Sequence, residues 1–303
     1  MTAATESNAG VAARVPGGRR RAGGVSTFLD AWWPALPLLA VIAMGLLAPA
    51  LLLVGQSLSS AEGFGIANWE RVFSTAANRD AVLTTLALAV TSASLTTLIG
   101  APIAWIIRRM LPVPRSLWLA LLNVAANFGG IGLAFAFFAT LGTQGMLTLA
   151  LRGLGLEIEP PRSSSFLGLL LAYQYTNVPL FVLLTIPAMG ALREEWLEAA
   201  EVASASRWQF WTRVGIPVLA PFLIGGWLLI FTWSIGIYSL AYGLAGNVGA
   251  SSISLITLQI GEILQSDVFG RGRAAVLAVV LMAIATVSLL AYRAILRRAL
   301  RWV

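Results

Sequence analysis

Long stretches without a charged residue alternate with short polar segments along this chain. Six such stretches stand out: Pro34–Val54, Ala81–Ile107, Ser116–Leu141, Phe166–Leu192, Val218–Tyr242 and Ala274–Tyr292. Each is close to or above the roughly 20 residues that an α-helix needs to cross the hydrocarbon core of a bilayer. The pattern predicts an all-α, polytopic membrane protein with six transmembrane helices. The first stretch exceeds the roughly 7–15 apolar residues of a signal-peptide core, so it reads as an uncleaved span. Residues 1–30 are rich in Gly, Ala and Ser and carry Arg14, Arg19, Arg20 and Arg21. They read as a disordered N-terminal segment ahead of a membrane domain over residues 31–303.

The segments between the spans differ in kind. Residues 56–80, with Phe64, Trp69 and Phe73, read as an interfacial element. Residues 142–165 hold Gly142, Gly145, Gly153, Gly155 and the Pro160-Pro161 pair, which reads as a break. Residues 243–270 begin with Gly243, Gly246 and Gly249 and continue into a short helical pattern over Leu255–Leu264.

Charge fixes an expected orientation. With the N-terminus in the cytoplasm, the outer segments hold only Arg71, Arg79, Arg152, Arg162, Arg271 and Arg273, leaving 14 of the 20 basic residues inside. That asymmetry places both termini in the cytoplasm, in a bacterial inner membrane. Charged residues make up 11% of the 303 residues, against roughly 25% in soluble domains. The net charge of +7 comes from Arg clusters between apolar stretches, which excludes a nucleic-acid-binding reading.

The missing residue types narrow the chemistry. The chain has no Cys, no His and no Lys. Zinc sites, Ser-His-Asp or Cys-His nucleophiles and the lysine of a phosphate-binding P-loop are excluded. Neither a metal nor a cofactor is expected, and any ATP-driven function needs a separate ATP-hydrolysing subunit. No ionisable Asp, Glu, Lys, Arg or His falls within the six stretches, which argues against a proton relay. Polar side chains in spans commonly just bond between helices, at about 0.6 kcal/mol each. The cluster Tyr173, Tyr175, Asn177, Trp233 and Tyr238 is the best candidate for a translocation-path lining.

The most unusual segment is residues 193–217. Glu194, Glu195, Glu198 and Glu201 fall among strong helix formers, with Trp196, Leu197, Trp208, Phe210 and Trp211 nearby. An acidic, aromatic loop beside an anionic membrane leaflet reads as a docking surface for a partner rather than a lipid-bound helix. Within it, Glu198-Ala199-Ala200, Ser204, and Val214, Gly215, Ile216 and Pro217 follow the spacing E-A-A, three residues, G, nine residues, I-x-L-P. The segment therefore resembles the EAA loop of permease subunits of binding-protein-dependent ABC importers, with Ser204 where that family has glycine. Asn68-Trp69 with Phe73, Gly100 to Ala104, Gly142 to Gly155, and Tyr238 to Asp267 extend the likeness over residues 35–295. In flavour it is nearest the spermidine/putrescine-like branch.

The resemblance implies a subunit that forms a translocation pathway with a second permease, a different chain rather than a second copy. It also implies two ATP-binding subunits beneath the pair and a periplasmic substrate-binding protein above it. The coupling residues would be Glu198, Ala199, Ala200, Ser204, Arg207, Val214, Ile216 and Pro217, with Glu198 touching the ATPase and Pro217 opening the fifth span. The implied cargo is a polyamine, with ferric iron, thiamine or a phosphonate as alternatives. A secondary transporter without an ATPase is a further alternative, although it leaves the loop unexplained.

Overall fold

The computed structural model describes residues 35–60, 63–141, 145–156, 160–246, 253–267 and 270–299. The segment 1–30 expected to be disordered lies outside these residues. Among the described residues, six helical stretches are long and apolar enough to cross a membrane: Leu36–Leu58, Ala76–Arg108, Gly130–Gly153, Phe166–Ala191, Arg207–Ile235 and Arg271–Arg297.

The chain divides into two units, residues 1–49 and 50–303. The first holds α1 (Leu36–Ile42) and a π-helical turn, Ala43–Leu47. Pro37 stands in the first turn of α1, where its missing N–H removes no hydrogen bond. The helix continues as α2 (Ala48–Leu58), most of which belongs to the second unit.

The second unit opens with a two-residue antiparallel hairpin, β1 (Ser59–Ser60) with β2 (Gly63–Phe64). α3 (Ala67–Ser74) follows. Asn68 on α3 donates to the carbonyls of Ser57 at 3.3 Å and Ser59 at 2.8 Å, which ties the hairpin down. Trp69 and Phe73 stack with centroids 6.2 Å apart. The predicted interfacial element is thus an ordered hairpin and short helix.

The bundle is built from α4 (Ala76–Arg108), α5 (Pro112–Asn127), α6 (Gly130–Leu141), α7 (Met146–Gly153) and α8 (Phe166–Thr185). A 3₁₀ turn, Ala188–Ala191, leads to α9 (Glu194–Val202), then to α10 (Arg207–Phe210) and a π-helical turn, Trp211–Gly215. α11 (Ile216–Ile235), α12 (Ser239–Ala245), α13 (Ile256–Ser266) and α14 (Arg271–Ala299) complete it.

Association in lipid rests on close packing and hydrogen bonds rather than on a hydrophobic drive. α4, α8 and α11 meet where side chains vanish. A Cβ on Gly100 would lie 2.6 Å from the Phe181 ring, and one on Gly226 2.7 Å from the same ring. Phe181 is therefore held between two glycines of two other helices. The neighbouring Gly225 leaves space for Tyr292 of α14, whose ring a Cβ would meet at 2.8 Å.

Two of the six apolar stretches are not single helices. Ser116–Leu141, read as one span, splits into α5 and α6 around Phe128 and Gly129. Gly130 has φ +70°, a left-handed conformation open to glycine. The stretch long and apolar enough to cross a membrane here is Gly130–Gly153, and part of the expected break over 142–165 is helical, as α7. Val218–Tyr242 likewise ends early: α11 stops at Ile235, and Gly236, Ile237 and Tyr238 separate it from α12. Glycine pairs and tyrosine are apolar enough to hide such breaks in a hydropathy pattern. The short helix expected over Leu255–Leu264 is α13.

Candidate functional site

The two breaks face each other. Together they line an open cavity of about 730 Å³. Asn127, Gly129 and Gly130 come from the first break, and Trp233, Gly236, Tyr238 and Ser239 from the second, while Thr176 and Leu180 of α8 form the wall between. α6 and α12 start at this cavity and run together closely. A Cβ on Gly243 would lie 2.5 Å from that of Ala134, and one on Gly130 3.4 Å from the Ser239 hydroxyl. Non-helical backbone at membrane depth is tolerated where it borders a cavity rather than lipid. Among the described residues, no charged side chain lines this one.

The five predicted path residues separate. Trp233 and Tyr238 line the cavity. Tyr175 lies beside it, edge-on to Phe128 at 6.4 Å and to Phe137 at 6.2 Å. Tyr173 and Asn177 are instead buried: Tyr173 lies in the apolar cluster of Leu88, Leu133, Leu240 and Leu244, and Asn177 is set between α4 and α11. Asn177 donates to the hydroxyls of Ser92 at 3.0 Å and Ser234 at 2.9 Å. Gln174 donates to the Ser92 hydroxyl at 3.0 Å and accepts from Thr96 at 2.8 Å. This knot joins three spans, and Asn177 Oδ1 has no partner in it. Sequence reading did not find Ser92, Thr96 and Ser234, since small hydroxyls are scattered through every span. The cavity lining from Thr176 and Leu180 was missed as well. Those two lie one helical turn apart, on the neighbouring face to Tyr173 and Asn177.

At the end of the bundle where α4 finishes, residues 193–217 form a helix–turn–helix. α9 carries Glu194 and Glu195 in its first turn, where acids complement the helix dipole. It ends in a Schellman turn: the Ser204 N–H donates to the Glu201 carbonyl at 3.0 Å and the Ala205 N–H to the Ala200 carbonyl at 2.9 Å. Ser204 sits at the left-handed position with φ 54°, and among the described residues it is the one non-glycine with positive φ. The backbone at Ser204 is therefore the conformation that favours glycine there. α10 then starts with a capping box. The Gln209 N–H donates to Ser206 Oγ at 3.2 Å and the Ser206 N–H to Gln209 Oε1 at 2.8 Å.

The loop is anchored to the bundle. Phe210 is buried with Ile107, Met189, Leu192 and Leu219, and Leu197, Ala200 and Val214 pack against that cluster. Gly215 is required by Trp211, whose ring lies 2.5 Å from where a Cβ would be. Ile216 and Pro217 are exposed, with Pro217 in the first turn of α11. Arg108 donates to the carbonyls of Met189 and Leu192, the latter at 3.0 Å, and so fixes the entry to the loop. Ala199, Val202 and Ala203 form an exposed face, with Val202 88% and nearby Trp208 77% accessible. Glu198 is exposed as well. With Glu194 and Glu201 it borders a groove of about 330 Å³ whose other walls are Trp105, Trp211, Arg109 and Arg207.

No family model matches the chain. Over 84 residues it is 37% identical to the sulfate transport system permease protein CysT of Escherichia coli (strain K12), covering 28% of this chain and 30% of that one. It is 30% identical over 152 residues to the CysT of Salmonella typhimurium, covering 49% and 52%. The chain thus spans about half or less of the length of these relatives. The molybdenum permease ModB of Azotobacter vinelandii aligns at 27% identity, covering 55% and 73%. The spermidine/putrescine permease PotB of Haemophilus influenzae aligns at 26%, covering 56% and 57%. In fold, the chain superposes with TM-score 0.71 on a chain of a bacterial alginate ABC transporter crystallised with an alginate-bound periplasmic protein, at 15% identity and covering 90% and 97%. The chain is therefore similar in sequence to permease subunits of sulfate, molybdenum and polyamine transport systems, and it has the fold of an ABC-transporter chain.

Proposed function

We propose that this chain is a permease subunit of an ATP-driven importer in a bacterial inner membrane. It lies there with both termini in the cytoplasm, so that residues 193–217 face the cytoplasm. The observation that carries the proposal is the loop: a capped helix–turn–helix, anchored on the bundle, that leaves Ala199, Val202, Ala203 and Trp208 bare. Such a face fits a groove on an ATP-binding subunit, and two copies of that subunit serve a pair of permeases. The cavity is open at one side, and Asn127 and Tyr238 are exposed there. Polar groups at that depth suit a second permease chain rather than lipid. A periplasmic binding protein delivers cargo from the other side of the membrane.

Two observations move the cargo from a polyamine to a small oxyanion such as sulfate or molybdate. Relatives that carry sulfate and molybdenum names align alongside the polyamine one. A dication needs acidic groups on its path, whereas the cavity wall offers uncharged donors and free backbone at the helix starts of Gly130 and Ser239. Trp233, Tyr238 and Thr176 line the path, and Tyr173 and Asn177 hold its wall.

The test is purification of the tagged chain in mild detergent from its native membranes, followed by uptake of radiolabelled sulfate, molybdate and putrescine into proteoliposomes. Co-purification of an ATP-hydrolysing subunit and ATP-dependent sulfate or molybdate uptake are expected. Gradient-driven uptake by the chain alone would overturn the importer reading. Putrescine uptake without oxyanion uptake would overturn the cargo.

A further inference from the structure

Another cavity lies near the end of the bundle where α4 finishes. It is a cleft of about 270 Å³ between α4 and α11, and its wall is almost wholly apolar. Ala101, Pro102 and Trp105 come from α4, and Leu219 and Leu223 from α11, with Met189 beside them. Met189 and Leu219 are buried, whereas Pro102 and Ile216 are exposed and mark the mouth. One turn to either side of Pro102, Leu98 and Ile106 are exposed too. The cleft therefore opens on an apolar flank.

The cleft adjoins the charged groove that α9 borders. Trp105 and Trp211 line both, and their rings meet edge-on at 5.0 Å. Tryptophan favours the boundary between hydrocarbon and water. On the polar side Arg109 lies over the Trp105 ring, 5.0 Å from its centroid, and Arg207, Glu194, Glu198 and Glu201 border the groove with it. All five charges are exposed, and among the described residues none of them makes an ion pair within 4.0 Å. Neighbouring Arg108, by contrast, is taken up by the Met189 and Leu192 carbonyls. A guanidinium resting on a ring keeps its donors free for an anion. An apolar cleft beside uncommitted charges of both signs fits an amphiphile.

We infer that cleft and groove together hold one phospholipid with a zwitterionic, amine-bearing headgroup of the phosphatidylethanolamine type. One acyl chain lies in the cleft. The phosphate meets Arg109 and Arg207, and the ammonium meets the carboxylates of α9. Lipid tails are as apolar as leucine, so the cleft selects only for shape and the headgroup decides. An anionic lipid without an amine would set its phosphate beside three carboxylates with two arginines to offset them. A purely apolar helix on this flank would leave all five charges unanswered. The inference needs only the membrane placement of the spans, and stands apart from the cargo and from the ATP-hydrolysing partner.

The test is native mass spectrometry of the purified chain, with all that accompanies it, released from nanodiscs of equimolar phosphatidylethanolamine and phosphatidylglycerol with the same acyl chains. Retained phosphatidylethanolamine should exceed retained phosphatidylglycerol roughly fivefold, about the worth of an exposed charge pair. Arg109→Ala with Arg207→Ala should remove that excess, and both side chains are exposed, so the fold should survive. To locate the lipid, phosphatidylethanolamine with a diazirine in its acyl chain is photolysed in the same discs and the crosslinks are mapped. Residues 101–105 and 219–223 should be labelled above the level at Leu117 and Leu121, which are exposed on α5. Ala101→Phe, which fills the cleft, should remove that surplus. Equal retention of the two lipids, an excess of phosphatidylglycerol, or labelling no stronger at the cleft than on α5 overturns the inference. So does a cleft that is labelled only after a co-purifying permease has been stripped away. Absence of an ATP-hydrolysing subunit from the purified complex would sink the importer reading and leave the lipid result standing.

Discussion

The cavity and the loop are the two places where this chain departs from plain apolar helix, and they do so by opposite means. At the cavity the backbone breaks, at Phe128–Gly130 and Gly236–Tyr238, and the exposed groups are uncharged. At the loop the backbone is kept regular by a Schellman turn and a capping box, and the side chains carry the charge. Peptide groups left free by a helix break can meet a passing solute without a fixed charge that would retain it. Under the importer reading the loop needs the reverse: a stiff backbone that presents its side chains to a partner. The same hydropathy therefore hides two kinds of site, one made by removing structure and one by reinforcing it.

The contrast can be broken at either site. Deleting residues 196–204 should abolish uptake while the chain still reaches the membrane; full uptake would refute the loop's role. Gly130→Val should destabilise the chain by about 1–2 kcal/mol or more, because a branched side chain is forced into left-handed backbone. Thermal denaturation reads that loss, and uptake should fall with it. Ser206→Ala removes the α10 cap and should cost about 1 kcal/mol, and it should weaken recovery of the ATP-hydrolysing subunit before it affects the cavity. The smallest effect is a gain: Ser204→Gly relieves a positive φ, and after the added freedom of the unfolded chain it should stabilise by about 0.5 kcal/mol. A melting temperature lowered by that substitution would show that Ser204 has a side-chain role that the turn does not explain.

What the sequence made legible follows from the same contrast. Charge and composition expose the loop, so residues 193–217 could be placed, and even the turn at Ser204 was marked by a spacing pattern. The spans could be counted because apolar length is conspicuous in a chain with so few charges. Their breaks could not, because Phe128, Gly129, Gly130 and Ile237 read as membrane-compatible wherever they fall. Nor could the sequence say which way α8 faces. A helix apolar on every side gives no angular clue, so Tyr173 and Asn177, buried in the bundle, looked equivalent to Tyr175 beside the cavity.

Phe181 between Gly100 and Gly226 has a mechanical meaning. A flat ring seated against two bare stretches of backbone is a shim: its thickness sets how far α4 and α11 stand from α8, and a methyl group added at either glycine would force that gap wider.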